Sequence, residues 1–523
     1  MQKIFSKKIF SVEILIFLGT ILFVFYLHYP FISSSPNLYD EGVSLFGAKR
    51  FLNGEIPYRD FWTMYAPAKF YFLAGVFKIF GTNLFIARIF YFLISIFGFS
   101  IIFIFFWRNI GFLSAFLVTI LTAGFGKISL TPVFVILLAI ILSEFFRYPE
   151  KIFLALLFGI TNGLLFSLRI DFGGFFALLG FLLVSLFFIF KQKFFSKKFF
   201  MSAGIALFGF LVTILVFFLP IFLQGGFQDF LEQAIYFPIF GKYQELRKLP
   251  FPNFSDFYSI KNFSQFCFNL SWFFWIIPFL TSFFFWFIKI FSKNKKADFL
   301  KKNFPDKFLQ NLFFAGATLA SLLYVSHRAD FGHTFFLNFF AIIFLIHTLF
   351  LFSRKIFMLP FFLPIIFIFI PIGEKFFQKS ENNFEQKQFS FFRFSLPNSP
   401  ENENLEKVLQ FFEKNISKQE LIFVGVENFD RIFINNVLLY FLLPNQSATK
   451  FHELHTGVTT SKNIQLEILQ ELEKINFVVL WDFFICEPNL SCQSSRNNLP
   501  KEYIEKNFEN IAEFGRYKIL KRK

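Results

Sequence analysis

Long apolar runs recur through the first 372 residues, and they limit what this chain can fold into more than any other feature. They lie at Val12–Leu27, 66–80, 84–107, 110–126, 130–146, 152–168, 173–190, 202–224, 268–291, 309–325, 333–352 and 356–372. A membrane-spanning helix needs roughly 17–25 apolar residues, so most of these runs are long enough, and 66–80 is doubtful. The sequence therefore predicts an α-helical polytopic membrane protein with about 11–12 transmembrane helices.

The composition agrees with a membrane protein and argues against a nucleic-acid partner. Charged residues make up 16% of the 523 residues, against roughly 25% in an ordinary soluble domain. Phenylalanine occurs 101 times and is spread over every apolar run, so we interpret single phenylalanines as apolar filler. The net charge of +16 is typical of cytoplasmic loops that face anionic lipid, and the chain has neither a zinc-type cysteine spacing nor a nucleic-acid motif.

The basic clusters between the runs predict the topology. The start of the chain is basic, and no small-x-small cleavage site follows Val12–Leu27, which predicts an uncleaved anchor with a cytoplasmic N-terminus. If 66–80 only dips into the membrane, all five clusters face the cytoplasm and about eleven crossings remain. The protein is then a multi-pass inner-membrane protein whose C-terminal tail is periplasmic. The five clusters lie at Arg108, 147–151, 191–198, 292–303 and Arg354-Lys355.

Two adjacent carboxylates, Asp40 and Glu41, follow directly on the first apolar run. A carboxylate pair at the end of a membrane helix is costly to desolvate, so structure alone seldom favours it. Such a pair can act as a general base that takes a proton from an acceptor hydroxyl at the membrane surface. The alternative interpretation is a solvated loop that follows the first helix.

Four short motifs occur in this order between the first and third apolar runs. They are Tyr39-Asp40-Glu41-Gly42, Gly47-Ala48-Lys49-Arg50, Pro57-Tyr58-Arg59-Asp60-Phe61 and Tyr65-Ala66-Pro67. Together they resemble the first external loop of polytopic GT-C glycosyltransferases, and more narrowly the bacterial relatives of the dolichyl-phosphate-mannose protein mannosyltransferases. The resemblance implies a sugar donor carried on a polyprenyl phosphate and an acidic base in this loop, which is Asp40 or Glu41.

Two further polar islands lie between apolar runs, and topology places both on the same side as Asp40. One contains Arg169 and Asp171, and the other contains Arg328, Asp330 and His333. In the structural interpretation each Arg and Asp neutralise each other at a helix end. In the functional interpretation the arginines and His333 bind a phosphate, because a guanidinium can engage two oxygens at once. The second island also resembles an R-x-D-x-x-H pattern found in the same GT-C relatives.

The composition changes after the last apolar run. We predict a GT-C-like membrane domain at 1–372, with its catalytic external loop at 28–66, a polar linker at 373–404 and a small extracytoplasmic α/β domain at 405–523. Helical patterns alternate there with short apolar strands, which favours a mostly parallel sheet. The predicted helices are 405–415, 429–443, 462–475 and 501–513, and the predicted strands are 420–426, 477–483 and 516–521. A disulfide between Cys486 and Cys492 is left open.

We therefore predict an inverting glycosyltransferase that moves a sugar from a polyprenyl-phosphate-linked donor to an acceptor hydroxyl on the extracytoplasmic face. The acceptor is a lipid, a glycan or a protein. No cofactor is required, since fixed cations can stabilise the leaving phosphate, although a divalent ion held by Asp40, Glu41 and Asp60 is an alternative. The rival class is a transporter or flippase of envelope intermediates, and a non-catalytic assembly partner is a third. The candidate substrate-binding residues are Arg59, Asp60, Tyr65, Lys69, Arg169, Asp171, Arg328, Asp330 and His333.

Overall fold

The computed structural model of the chain describes residues 2–124, 126–191, 196–241, 248–249, 270–291, 297–328, 330–352, 386–392, 395–485 and 493–523. By compactness the chain divides into two units, each assembled from three stretches of sequence. Unit 1 comprises 1–30, 91–215 and 250–383. Unit 2 comprises 31–90, 216–249 and 384–523.

The apolar runs within the described residues form helices, as the sequence predicts, and residues Asp40–Leu52, which lie outside those runs, form a helix as well. In chain order these are α1 Gln2–His28, α2 Asp40–Leu52, α3 Ala68–Phe80, α4 Leu84–Asn109, α5 Phe112–Ala123, α6 Leu130–Arg147, α7 Phe153–Leu168, α8 Ile170–Phe190, α9 Lys197–Leu223, α10 Ile276–Phe291, α11 Ala297–His327 and α12 Phe331–Phe352. Among the described residues, seven helices are long and apolar enough to cross a membrane, and three apolar helices are shorter. The predicted polytopic helical membrane protein is confirmed, while the run at 356–372 lies outside the described residues.

The doubtful run at 66–80 forms helix α3, which has 13 residues. At 1.5 Å per residue such a helix is about 20 Å long, whereas the hydrocarbon core of a bilayer is about 30 Å thick. It belongs to unit 2, where it packs against α2. This length agrees with a segment that does not cross the membrane, and the topology built on it stays a prediction.

Charged residues gather at both ends of unit 1. At one end Arg108 and Arg147 both pair with Glu144, and the Lys307 ammonium donates to the Asn109 carbonyl at 2.6 Å. Helices α8 and α11 connect this end of unit 1 with the opposite end. Helix α8 begins next to Arg169, and α11 continues past Lys307 to its C-terminus at His327. The predicted cytoplasmic clusters at Arg108 and 147–151 therefore share one end, away from both Arg-Asp islands.

The C-terminal part of unit 2 is a small α/β domain, and its predicted class is confirmed. Its elements are β1 Gln386–Gln388, β2 Ser395–Pro397, α13 Pro400–Asn415, β3 Ile422–Val426, α14 Val437–Leu442, α15 Lys462–Leu472, β4 Phe477–Trp481, α16 Leu499–Asn507, β5 Phe508–Phe514 and β6 Tyr517–Arg522. The main sheet has the order β3-β4-β6-β5. Strands β3 and β4 are parallel, and the other two pairings are antiparallel.

The prediction of a mostly parallel sheet is therefore wrong. The reason is that the second half of the predicted helix 501–513 forms a strand of an antiparallel hairpin. Helix α16 ends at Asn507, and the next seven residues form β5 instead of extending the helix to 513. Gly515, whose φ is +58°, then reverses the chain into β6. A left-handed residue of this kind suits glycine and allows a tight antiparallel turn.

Two other expectations, the helix at 429–443 and the polar linker, need correction. The possible disulfide falls outside the described residues. Residues 429–443 are helical only over α14, because the Asn436 side chain caps that helix by accepting from the Leu439 amide at 3.1 Å. Within the predicted linker, residues 386–388 and 395–397 pair as antiparallel strands. The domain boundaries themselves stay a prediction, and Cys486 and Cys492 lie outside the described residues.

Helix α2 is part of the core of this small domain. Val43 and Phe46 are buried with Leu438, and the Phe46 ring stacks on Tyr440 with centroids 5.0 Å apart. Residues 42–48 are all buried, so the alternative of a solvated loop is wrong for this segment. Fully burying three large apolar side chains stabilises the joint core by about 5–9 kcal/mol. Helix α2 and the C-terminal domain therefore fold as one unit.

Candidate functional site

The two units carry separate sets of candidate residues, and Asp40 begins the first set. It is the first residue of α2 and is exposed. The Asn37 side chain accepts from the Asp40 amide at 2.8 Å and donates to the Asp40 carboxylate at 3.1 Å. Among the described residues, no Lys, Arg or His nitrogen forms an ion pair with this carboxylate. Asp40 thus presents an accessible carboxylate at a helix N-terminus, where the helix dipole favours negative charge.

Glu41, its neighbour, has a different environment. The buried Arg88 guanidinium forms a two-pronged ion pair with Glu41, at 2.8 and 2.9 Å. Arg88 also donates to the carbonyls of Ile32 and Ser34 at 2.9 and 2.7 Å. Both carboxylate oxygens of Glu41 are engaged, so Glu41 is suited to hold the start of α2 in place and Asp40 is the better candidate for the base.

The remaining motif residues of α2 contact the C-terminal domain. A Cβ atom at Gly42 would lie 2.3 Å from the Leu438 amide nitrogen, so only glycine allows this approach of the two helices. The Lys49 ammonium donates to three carbonyls at the end of α14, at 2.6–3.2 Å. Burial lowers the pKa of Lys49 to about 8. Arg50 is buried and donates to the Thr449 carbonyl at 2.9 Å. These motif residues serve packing between the first external segment and the domain.

The Pro57–Phe61 motif forms a tight turn that exposes an arginine. Tyr58 is buried in a left-handed conformation with φ of +72°, and its hydroxyl donates to the Tyr65 carbonyl at 2.8 Å. The amide side chain of Gln233 links two points of the turn, the Tyr58 carbonyl and the Thr63 amide. A left-handed aromatic residue is strained, and such strain persists only where surrounding contacts enforce it.

Arg59 and Asp60 pair with each other on the surface of this turn. Two hydrogen bonds of 2.8 Å join the guanidinium to the carboxylate, and a third nitrogen donates to the Gln224 carbonyl. The hydrogen bond from Arg59 lowers the pKa of Asp60. Close by, the Lys69 ammonium lies over the Tyr65 ring, 3.8 Å from its centroid. Both cations are accessible and can contact an anionic ligand.

In unit 1, Arg169 lies between two helices and contacts an acidic and an aromatic partner. It precedes α8 and forms a two-pronged pair with Asp171. Its guanidinium carbon also lies 4.1 Å from the centroid of the Tyr324 ring and 4.7 Å from that of Phe172. About a quarter of the Arg169 side chain remains exposed. A cation stacked on an aromatic face is held in orientation while its edge stays available.

The second island, at Asp330, forms a helix cap. The Asp330 carboxylate accepts from the His333 amide at 2.9 Å, which caps α12, and it also pairs with the His333 ring at 2.7 Å and with Arg328 at 2.8 Å. Partial burial by itself raises the pKa of Asp330, but the bonds and charges of His333 and Arg328 outweigh it and lower this pKa to about 2. The predicted Arg-Asp pair is present in both islands.

Tyr324 joins the two islands into one cluster, which sequence reasoning missed. Its ring lies 4.6 Å from the His333 ring and beneath the Arg169 guanidinium. One face of unit 1 therefore brings together two arginines and a histidine that are far apart in sequence. The only signal for Tyr324 is a lone tyrosine in the last turn of a phenylalanine- and leucine-rich helix. Arg88, also missed, is a lone arginine in the first turn of an apolar helix.

The divalent-cation alternative stays a prediction. Glu41 and Asp60 are each engaged by an arginine. Over the ranges that the structure describes, no group of three or more His, Cys, Asp or Glu is arranged to hold a metal ion.

The chain, with its polytopic helical part and its small sheet domain, has a GT-C-like fold. No family model and no curated protein matches the chain. Among solved structures, the chain is similar to ArnT from Cupriavidus metallidurans bound to undecaprenyl phosphate, with a TM-score of 0.52, 11% identity and 97% of each chain covered. The apo state of the same ArnT gives a TM-score of 0.42 at 10% identity over 98% of each chain. The narrower resemblance to protein mannosyltransferases stays a prediction.

Proposed function

We propose that this protein is a membrane glycosyltransferase that moves a sugar from a polyprenyl-phosphate-linked donor to an acceptor hydroxyl, on the extracytoplasmic face of the inner membrane. The observation that carries the proposal is the contrast within one carboxylate pair on a GT-C fold. Glu41 is locked to a buried arginine, whereas Asp40 is exposed and forms no ion pair among the described residues. A base must reach the proton that it removes, and Asp40 meets that requirement.

In the proposed reaction, an Asp40 carboxylate oxygen takes the proton from the acceptor hydroxyl. The hydroxyl oxygen then attacks the anomeric carbon of the donor sugar, and the bond from that carbon to the phosphate oxygen breaks. The lipid phosphate leaves with the electron pair, and the configuration at the anomeric carbon is inverted. Asp40 therefore acts as a general base and forms no covalent intermediate.

Phosphate binding is assigned to the cluster around Tyr324 in unit 1. Arg169 and Arg328 carry guanidinium groups, whose planar geometry suits phosphate oxygens, and the His333 ring can add a donor when it is protonated. Their neighbours Asp171 and Asp330 orient the guanidinium groups. Fixed cations of this kind stabilise the charge that develops on the leaving phosphate. In unit 2, Arg59 and Lys69 are further candidates for the donor, and Tyr65 can stack on a sugar ring.

The carrier class is a polyprenyl phosphate. This part of the proposal is supported by the fold shared with ArnT, whose structure holds undecaprenyl phosphate. Binding of undecaprenyl phosphate to the purified protein, followed by native mass spectrometry, tests the assignment directly. Binding that survives the change of both Arg169 and Arg328 to methionine would contradict the assigned phosphate site.

The transferase proposal is tested by comparing envelope lipids and glycans, by mass spectrometry, from cells with and without this chain. We expect one product that is heavier by a single sugar and depends on the chain. Asp40→Asn should abolish that product while leaving the amount of membrane-inserted protein normal. Glu509→Gln, which removes an exposed carboxylate of the sheet domain, is the matched control and should keep the product.

Other outcomes would overturn the proposal. Undiminished product in Asp40→Asn cells would exclude Asp40 as the base. A lipid that accumulates on one side of the membrane without any change in mass would favour the transporter or flippase instead.

A further inference from the structure

A buried loop of the C-terminal domain carries three ionisable side chains that the proposed reaction does not use. They are His452, Glu453 and His455, whose exposed fractions are 0%, 0% and 1%. Burying ionisable groups is costly unless they are paired and hydrogen-bonded. Their retention within a domain core therefore suggests a specific task, and their contacts show where it lies.

The loop contacts the residue directly before Asp40. The His455 ring nitrogen Nε2 lies 2.8 Å from the Tyr39 hydroxyl and 3.3 Å from the Glu453 carboxylate. The Tyr39 and His455 rings also meet edge to face, with centroids 5.8 Å apart. Tyr39 is the N-cap residue of α2, and its carbonyl accepts from the Val43 amide at 2.8 Å. A chain of contacts thus connects Glu453 through His455 to the turn that carries Asp40.

The groups around this chain of contacts are buried and close together. Burial, together with the charge of Arg50, lowers the pKa of His452 well below its ordinary value. Arg50 faces His452 at 3.4 Å and is itself paired with Glu55. The contact between Tyr39 and His455 is also buried, and breaking such a contact is costly because it leaves a polar group unpaired in the interior.

We propose that Tyr39, His455 and Glu453 are positioning residues for the Asp40 base, by which the C-terminal domain fixes the first turn of α2. The proposal rests on the proposed transferase function. The Asp40 carboxylate accepts from the Asn37 side chain, whose oxygen in turn accepts from the Tyr39 and Asp40 amides, so its direction depends on the backbone of that turn. Displacing a reacting group by about 1 Å can lower a rate by up to about 100-fold. The domain is then a component of the catalytic unit.

The test is Tyr39→Phe, which removes only the hydroxyl. Formation of the chain-dependent product is followed in membranes, with the cell's own lipid extract as the source of donor and acceptor. We expect the rate at saturating extract to fall about tenfold, consistent with the loss of one positioning hydrogen bond. The extract concentration that gives half of the maximal rate should stay unchanged, because no donor contact is removed.

A matched control separates positioning from general stability. Tyr517→Phe removes a buried hydroxyl of the C-terminal domain, one that accepts from Asn436 at 2.9 Å and donates to Glu401 at 3.3 Å. This variant should keep the rate within twofold. At the loop itself, the amide of His455→Gln can still bond the Tyr39 hydroxyl, so this variant should keep most of the wild-type rate of product formation. His455→Leu cannot form this bond and should lose most of that rate.

Hydrogen exchange gives a readout that does not depend on the reaction. In Tyr39→Phe the amides of the first turn of α2, Val43 included, should exchange several-fold faster than in Tyr517→Phe. Equal exchange and equal rates in the two tyrosine variants would overturn the positioning role. If Asp40→Asn also keeps the full rate, the transferase proposal fails instead, and the two failures are thus distinguished.

Discussion

Two kinds of arginine–carboxylate pair occur in this protein, and the difference between them separates structural from candidate functional residues. In unit 2, Arg88 has only 5% of its side chain exposed and binds both oxygens of Glu41 and two backbone carbonyls. In unit 1, Arg169 and Arg328 are 24% and 20% exposed and each pairs with an aspartate two residues ahead. The first pair is enclosed by the fold, and the other two lie at helix ends that solvent reaches.

Enclosure decides what such a pair can do. A buried guanidinium whose donors are used by the protein cannot receive a ligand, and breaking its pair leaves an uncompensated charge in the interior. A partly exposed pair contributes little to stability, so its arginine can engage a phosphate without cost to the fold. The same residue type is therefore expected to show large stability effects in one region and mainly binding effects in the other.

The largest effect is expected for Arg88→Met. This change leaves Glu41 without its partner and removes the donor from one buried and one half-buried carbonyl, and it should destabilise unit 2 by about 3–5 kcal/mol. The amount of membrane-inserted protein and its unfolding temperature in detergent measure the loss. Arg328→Met is the matched comparison and should change the stability by less than about 1 kcal/mol. Equal losses in both variants would contradict the distinction between the two regions.

A smaller loss is expected for Gly42→Ala, which tests how closely α2 approaches α14. The new Cβ would lie 2.3 Å from the Leu438 amide nitrogen, and a backbone atom within a helix cannot easily move away. We expect about 2–3 kcal/mol of destabilisation. Gly75→Ala in α3 is the control, since no atom lies within 4 Å of its Cβ, and it should stabilise the helix by about 0.5–1 kcal/mol. A lower unfolding temperature for Gly42→Ala and a higher one for Gly75→Ala, each relative to the wild type, would support the close packing of α2 on α14.

In unit 1 the expected effect is on binding. Arg169→Lys or Arg328→Lys replaces a two-pronged donor by a single point charge and should weaken undecaprenyl phosphate binding about tenfold, with an unchanged unfolding temperature. Native mass spectrometry at graded lipid concentration measures this. Arg431→Lys changes an exposed arginine of the sheet domain and should leave binding unaltered. Wild-type affinity in both lysine variants of unit 1 would remove the cluster from the proposed site.

The smallest effect concerns pH. The pKa of Asp330 is lowered to about 2 in the folded protein, so the carboxylate contributes stability that is complete above its unfolded pKa near 4. This contribution, about 2 kcal/mol at pH 7, should be about half lost at pH 3. Unfolding temperatures of the wild type and Asp330→Asn should therefore converge as the pH falls from 6 to 3. A constant difference over this range would show that Asp330 makes no such contribution.

Much of the fold follows from local pattern, and the errors occur where local pattern is ambiguous. Apolar length located the helices of the membrane part, because a spanning segment must satisfy its own backbone hydrogen bonds. Residues 508–513 fall in the predicted helix 501–513 because their own pattern is weak. Only the pairing with β6 makes them a strand.

For the candidate site, too, the contacts between residues close in sequence were predictable and those between distant residues were not. The Arg-Asp spacing of two residues predicted both self-paired islands, because residues so close in sequence meet whatever the fold does. The contacts of Arg88 with Glu41 and of Tyr324 with Arg169 and His333 could not be predicted. Arg88 and Glu41 are 47 positions apart and Arg169 and Tyr324 are 155 positions apart, and no local rule places such residues together.

The sequence by itself determined that the chain is a polytopic helical membrane protein with a small α/β domain, since hydrophobic length and periodicity act locally. It also determined that Asp40 and Glu41 stand together shortly after the first apolar run. Only the tertiary structure decided that these two carboxylates differ, because burial and pairing depend on side chains brought in from elsewhere. Arg88 engages one of them, and a loop more than 400 residues away holds the turn that presents the other.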